Sequence, residues 1–280
     1  MVAVLGAVLP AQAVAGPRLY VGLFDDQAFR WEASRHTNLD LAQGDGASVI
    51  RTIVRWSEIA PQRPRHPADP FAREYRFNDL DDLVRSAAQR RIEVLLTIWG
   101  TPSWANGGAG ANVAPTHPSD LRNFAYALAE RYSGSFAGFP PVRFFSIWNE
   151  PNSSLFLRPQ FDSRGHPVAP RVYALLVRAA YDGIKRADPD ALVAAGETAP
   201  RGHDRPVAGL RDSESPGKFA RLVAAVDPQL PFDSWAHHPY PRSDRERPGA
   251  AQPWPNVGLS GLARFEAELS GWFDRRGVEL

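Results

Sequence analysis

Short apolar runs, of a length suited to strands, alternate along this chain with longer stretches in which apolar residues return at helical spacing. Residues 19–24 and 48–54 form the first two runs. A helix is predicted over residues 78–90, where Leu80, Leu83, Val84, Ala87 and Ala88 share a face and Asn78 is placed as the cap. A third run spans residues 92–99. Pro118 then opens a helix whose stripe is Leu121, Phe124, Ala125, Leu128, Ala129 and Tyr132. The fourth run is residues 142–148, and a long helix carrying Val172, Leu175, Leu176, Ala179, Ala180 and Ile184 ends before Pro189. A fifth run (191–195), a short helix (219–226), a weaker sixth run (231–236) and a last helix follow. That last helix is marked by Leu262, Phe265, Leu269, Trp272 and Phe273 and closed by Gly277.

Strands without polar alternation are buried on both faces, which means parallel pairing under a cover of helices. Two architectures satisfy this: a doubly wound sheet and an eight-stranded barrel. A dinucleotide-binding sheet needs a glycine-rich turn after its first strand, and here that strand runs into Asp25-Asp26-Gln27. Gly107-Gly108-Ala109-Gly110 lacks the spacing of a phosphate cradle. The expectation is therefore a (β/α)8 barrel, and an incomplete one. Six strand–helix units are followed by what reads as the opening of a seventh strand at Val278-Glu279-Leu280. Unpaired edges of such a barrel predict poor solubility for these 280 residues on their own. Residues 1–15, an Ala- and Val-rich run with small residues at alternate positions, read as a signal peptide without its basic start. The barrel would occupy residues 18–280 of a secreted protein.

Composition narrows the function. The 32 Lys and Arg are matched by 31 Asp and Glu, which gives no electrostatic footprint for a nucleic-acid partner. No apolar stretch reaches membrane-spanning length. The absence of cysteine excludes thiolate metal sites and a thiol nucleophile. There is no Gly-x-Ser-x-Gly elbow to indicate a serine hydrolase. His237-His238 are adjacent, so on a strand they point to opposite faces and do not share one metal; neither metal nor cofactor is expected.

In parallel barrels the active site is built from the carboxyl ends of the strands. Those ends carry Asp25 and Asp26; Trp56 and Glu58; Trp99; Trp148-Asn149-Glu150-Pro151-Asn152; Glu197; and Trp235-Ala236-His237-His238-Pro239-Tyr240. Carboxylates, amides, imidazoles and indoles at one rim fit sugar chemistry. Aromatic faces stack on sugar rings, polar groups bind hydroxyls, and a carboxyl among aromatic rings can be kept protonated as a general acid.

The Trp148-Asn149-Glu150-Pro151-Asn152 run at a fourth strand's end resembles the acid/base motif of the clan A retaining glycoside hydrolases, which include families 5 and 39. Arg51 with Trp56 beyond it, the run Trp99-Gly-Thr-Pro-Ser-Trp104, and His238-Pro239-Tyr240 line up with that cellulase-like branch. The resemblance covers roughly residues 18–280. It implies Glu150 as acid/base and Asn149 on the sugar 2-hydroxyl. It implies Arg51, Tyr240 and His238 around the nucleophilic carboxylate, with Trp99, Trp148 and Trp235 lining substrate subsites. It also implies an oligosaccharide or polysaccharide substrate and a monomer when full-length. The clan's nucleophile is a glutamate at the end of the seventh strand, which these residues do not include; Glu197 is the best internal candidate. A retaining enzyme whose fragment is inactive alone is expected, with a non-catalytic carbohydrate-binding barrel as the alternative. Arg51 also has a structural reading, as a buried partner of a carboxylate. Trp104, Trp254 and Trp272 read as packing, and the sequon Asn152-Ser153-Ser154 as incidental.

Overall fold

The computed structural model describes residues 19–207 and 211–274. The expected signal peptide, the helix stop at Gly277 and the seventh strand at 278–280 lie outside the described residues. Six strands form one sheet in chain order: β1 (Gly22–Phe24), β2 (Val49–Arg55), β3 (Glu93–Trp99), β4 (Phe144–Ile147), β5 (Leu192–Thr198) and β6 (Ser234–His237). Every neighbouring pair is parallel. The sheet curls as six staves of an incomplete (β/α)8 barrel. Among the described residues β1 and β6 each have a partner on one side only, and β1 leaves Leu23 and Phe24 exposed.

Helices follow each strand. They are α1 (Arg35–Gly44), α2 (Trp56–Ile59), α3 (Asn78–Gln89), α4 (Ser103–Asn106), α5 (Pro118–Arg131), α6 (Ala169–Ala187), α7 (Pro216–Val226) and α8 (Leu262–Trp272). Helix α1 is not anticipated by periodicity: Leu39 and Ala42 are its buried residues, while Leu41 faces solvent. Asn78 is the first residue of α3 rather than its cap; Phe77 holds the cap position, with no side-chain capping bond. Among the described residues no helix is long and apolar enough to cross a membrane.

Along β2 burial alternates residue by residue. Ile50, Thr52 and Val54 pack under the helices, whereas Arg51, Ile53 and Arg55 face the half-open concave side. The same parity carries Val94, Leu96 and Ile98 of β3, Phe145 and Ile147 of β4, and Val193 and Ala195 of β5 into the helix-facing core. Concave positions in register include Thr97, Ser146 and Ala194. This division of faces decides which strand-end side chains can meet.

Candidate active site

Three non-glycine residues at the rim hold left-handed backbone: Trp148 (φ 70°), Glu150 (φ 40°) and Glu197 (φ 49°). Such conformations cost about 1–3 kcal/mol each and persist where the surroundings impose them. Those surroundings are visible. The Trp148 N–H donates to Ile98 O (2.8 Å) and the Glu150 N–H to Glu197 O (2.9 Å), so the turn after β4 is tied to both adjacent strands. Asn152 clamps the turn from below. Its amide donates to Ala199 O (3.0 Å) and Glu214 O (2.8 Å) and accepts from the Ala199 N–H (2.8 Å). The sequon is thus buried and occupied by structure.

The end of β5 is bulged, with its pairing to β6 shifting register between Ala195 and Thr198. Strict alternation from Ala194, which faces the concave side opposite Ser146, would aim residue 197 at the helices. The extra residue reverses this and delivers the Glu197 side chain to the concave face. Gly196 makes the bulge possible. Its φ is 91°, and a Cβ there would come within 2.5 Å of both Ala236 O and the Trp235 indole nitrogen. Tyr173 of α6 braces the arrangement, donating to Ile147 O (3.0 Å) and accepting from the Gly196 N–H (2.7 Å).

On the concave face the polar side chains form one chain of charge-assisted bonds. Arg51 donates to Glu197 Oε2 (2.6 Å), Asn149 Oδ1 (2.8 Å) and Thr97 Oγ1 (3.0 Å). Thr97 in turn pairs with Ser146 across 2.8 Å. His238 Nε2 donates to Glu197 Oε2 (2.9 Å) and Nδ1 to Glu150 Oε1 (3.1 Å). The Glu150 side chain keeps 19% of its surface exposed and points to the concave side, while that of Glu197 keeps 2%. Burial opposes ionisation of Glu197, but His238 and Arg51 outweigh it and hold the carboxyl below its ordinary range. Burial likewise favours neutral His238, and the two carboxylates overcome this, raising its pKa to about 9. At neutral pH His238 is an imidazolium between two glutamates.

His237 is its opposite. It faces away, bonded to Thr198 Oγ1 (2.8 Å) and Val257 O (3.1 Å), and burial lowers its pKa to about 4. The two adjacent imidazoles therefore diverge as strand parity requires.

The other expected site residues divide. Trp99 sits at the rim, half-buried, donating to Phe156 O (3.1 Å). Tyr240 is 55% exposed with its ring edge-on to His238 (5.7 Å). Trp235 does not line a subsite: it is fully buried against Phe232 and Phe273, in the helical layer. Trp148 is also fully buried, its indole donating to Phe156 O (2.7 Å), and it supports the rim without reaching it. Trp56 is buried on Phe124, and Trp104 and Trp254 pack as expected of core-edge rings. Arg51 and His238, expected around a nucleophile at the seventh strand, are bonded instead to Glu197. Thr97 and Ser146 were missed among the strand residues, although a hydroxyl inside an otherwise apolar run is the signal that would have found them. The remaining rim carboxylates are engaged elsewhere. Asp26 accepts from Thr52 and the Ile53 N–H, Asp25 from the Ala28 N–H, and Glu58 pairs with Arg55.

No family model and no curated protein matches the chain. Solved structures do. A family 39 glycoside hydrolase from the gut symbiont Bacteroides cellulosilyticus WH2 superimposes with a TM-score of 0.55 at 20% identity, over 85% of this chain and 42% of that one. A monomeric β-xylosidase from Caulobacter crescentus CB15 gives 0.57 at 18%, over 90% and 49%. The family 39 enzyme from Xanthomonas axonopodis pv. citri gives 0.54 at 19%, over 90% and 48%. The likeness establishes the barrel fold, and the chain spans a little under half the length of these proteins.

Proposed function

We propose that this chain carries the acid/base side of a retaining β-glycosidase active site, in an exported, monomeric protein acting on oligosaccharide or polysaccharide. The supporting observation is the placement of Glu150: at the end of β4, on the concave face, partly open to solvent, beside Asn149 and hydrogen-bonded to His238. In the double displacement, the Glu150 carboxyl protonates the departing glycosidic oxygen and the resulting carboxylate later takes a proton from the attacking water. The Asn149 amide, its oxygen fixed by Arg51, faces the sugar 2-hydroxyl, a contact that tightens as the oxocarbenium character develops. Trp99 and Tyr240 flank the sugar.

The nucleophile of this reading is not Glu197. A carboxylate that keeps 2% of its surface exposed and accepts from both Arg51 and His238 on Oε2 is poorly accessible to an anomeric carbon. Among the described residues this reading therefore assigns no nucleophile. Structures with the same fold include a β-xylosidase and a glucosidase from Croceicoccus marinus, so aryl β-xylosides and β-glucosides are the first substrates to offer.

The test is turnover of such glycosides by the natural gene product, with proton NMR of the first-formed sugar. Release of the β-anomer, and a fall in kcat/KM of about 10²- to 10⁴-fold in Glu150→Gln, are expected. An α-anomer, or turnover indifferent to Glu150→Gln, would overturn the assignment. Oligosaccharide binding without turnover would favour the non-catalytic barrel.

A further inference from the structure

The geometry points to Glu197 as a positioning residue for Glu150, acting on it both through its own main-chain carbonyl and through the His238 side chain. The inference rests on the reading of Glu150 as the acid/base.

The two routes are separate. The Glu197 carbonyl accepts the Glu150 N–H (2.9 Å), which fixes the Glu150 backbone in its left-handed conformation. The Glu197 carboxylate, held by Arg51 at 2.6 Å, orients the imidazole whose far nitrogen donates to Glu150 Oε1. One strand-end residue thus sets where the acid/base backbone turns and where its carboxyl points. Both routes depend on the bulge at Gly196, without which the side chain would face the helices while the carbonyl pointed elsewhere.

The electrostatics fit a general acid that must become a base one step later. The charged groups meeting at His238 are Glu150, Glu197 and Arg51. A lone imidazolium beside Glu150 would favour its ionised form throughout the cycle and oppose the protonated state needed to start it. With Glu197 on its other nitrogen, part of that positive charge is balanced, the Glu197 carboxylate being shared with Arg51. His238 then serves as a directed donor that strengthens as Glu150 gives up its proton. Glu197 also keeps the imidazole charged across the neutral range, so the donor does not vanish near pH 7.

The distinguishing measurement is the titration of the His238 ring, followed by NMR on the folded chain without substrate, in the parent, in Glu197→Gln and in Glu150→Gln. In the parent the midpoint is expected near 9. Glu197→Gln should lower it by at least one pH unit, about tenfold in proton affinity. The pH profile of kcat/KM in the natural gene product should then gain a break at the new midpoint. Glu150→Gln leaves one carboxylate in place, so its midpoint should fall between 6.5 and that of the parent; this holds even if Glu197→Gln fails to fold. A His238 midpoint unchanged by Glu197→Gln, or one that drops fully to 6.5 in Glu150→Gln, would overturn the inference. A normal titration pattern combined with turnover indifferent to Glu150→Gln would instead sink the glycosidase reading and leave the coupling standing.

Discussion

Glu214 is a weak point in the stability of this chain, its side chain fully buried. Its backbone is well used: the N–H donates to Asn152 O (2.8 Å) and the carbonyl accepts from Asn152 Nδ2 (2.8 Å), closing the clamp on the β4 turn. Its carboxyl is not, since neither oxygen has a hydrogen-bond partner. Burial drives the pKa up; Lys218 pulls it back and Asp204 pushes it further, and it settles at about 8 against an ordinary 4.5. In the folded chain the group stays protonated to pH 8, whereas in the unfolded chain it ionises above 4.5. Its contribution to stability is therefore intact below pH 4.5 and is lost as pH rises toward 8. Each pH unit across that window removes about 1.4 kcal/mol, which amounts to less than about 1 kcal/mol at pH 5 and about 3 kcal/mol at pH 7.

Glu214→Gln tests this cleanly, because the amide keeps the shape and the neutrality of the protonated acid. Any cost of leaving the amide unbonded is the same at every pH, so only the pH-dependent part carries the argument. Chemical denaturation of parent and variant at pH 5 and pH 7 should show the variant gaining about 2 kcal/mol relative to the parent between the two conditions. Parallel stabilities at both pH values would refute the claim that the carboxyl is protonated in the fold.

Two further substitutions probe the frame around the site. Asp81 accepts from Arg131 twice (2.8 and 2.7 Å) and from the Tyr132 hydroxyl (2.8 Å), with the guanidinium caged by Phe71, Phe77 and Phe139. Asp81→Asn leaves that cation buried without its charge partner and should cost about 3–5 kcal/mol by denaturation; a loss below about 1 kcal/mol would mean that solvent reaches the pair. Gly183 is where α6 presses on α5, and a Cβ there would sit 2.3 Å from Arg122 O and 3.0 Å from Tyr126 N. Gly183→Ala should force the helices apart and lower stability by about 1–3 kcal/mol, and a neutral or stabilising effect from the better helix former would contradict the close approach.

The barrel was legible because its strands are short, largely apolar runs and its longer helices are amphipathic; both patterns are written in residue type. Helix α1 escaped because two buried residues in ten do not make a stripe. The rim was legible as a set of residues but not as a geometry. Trp235 and His238 stand three apart on or beside one strand, so they face opposite ways, and parity alone assigns the indole to the helices once the imidazole is given to the groove. Trp148 departs from its expected role for a different reason, a left-handed φ that turns its ring under the Phe156 loop.

Glu197 shows where parity itself fails. Counting from Ala194 sends it outward, and a bulge of one residue brings it in. The only trace of that bulge in the sequence is Gly196, the residue whose missing Cβ lets the strand turn beneath Trp235. Glu150 can therefore be found from its own motif, whereas strand parity does not place Glu197 on the concave face. Its position depends on a backbone irregularity that appears only when β4, β5, β6 and Tyr173 of α6 are packed together.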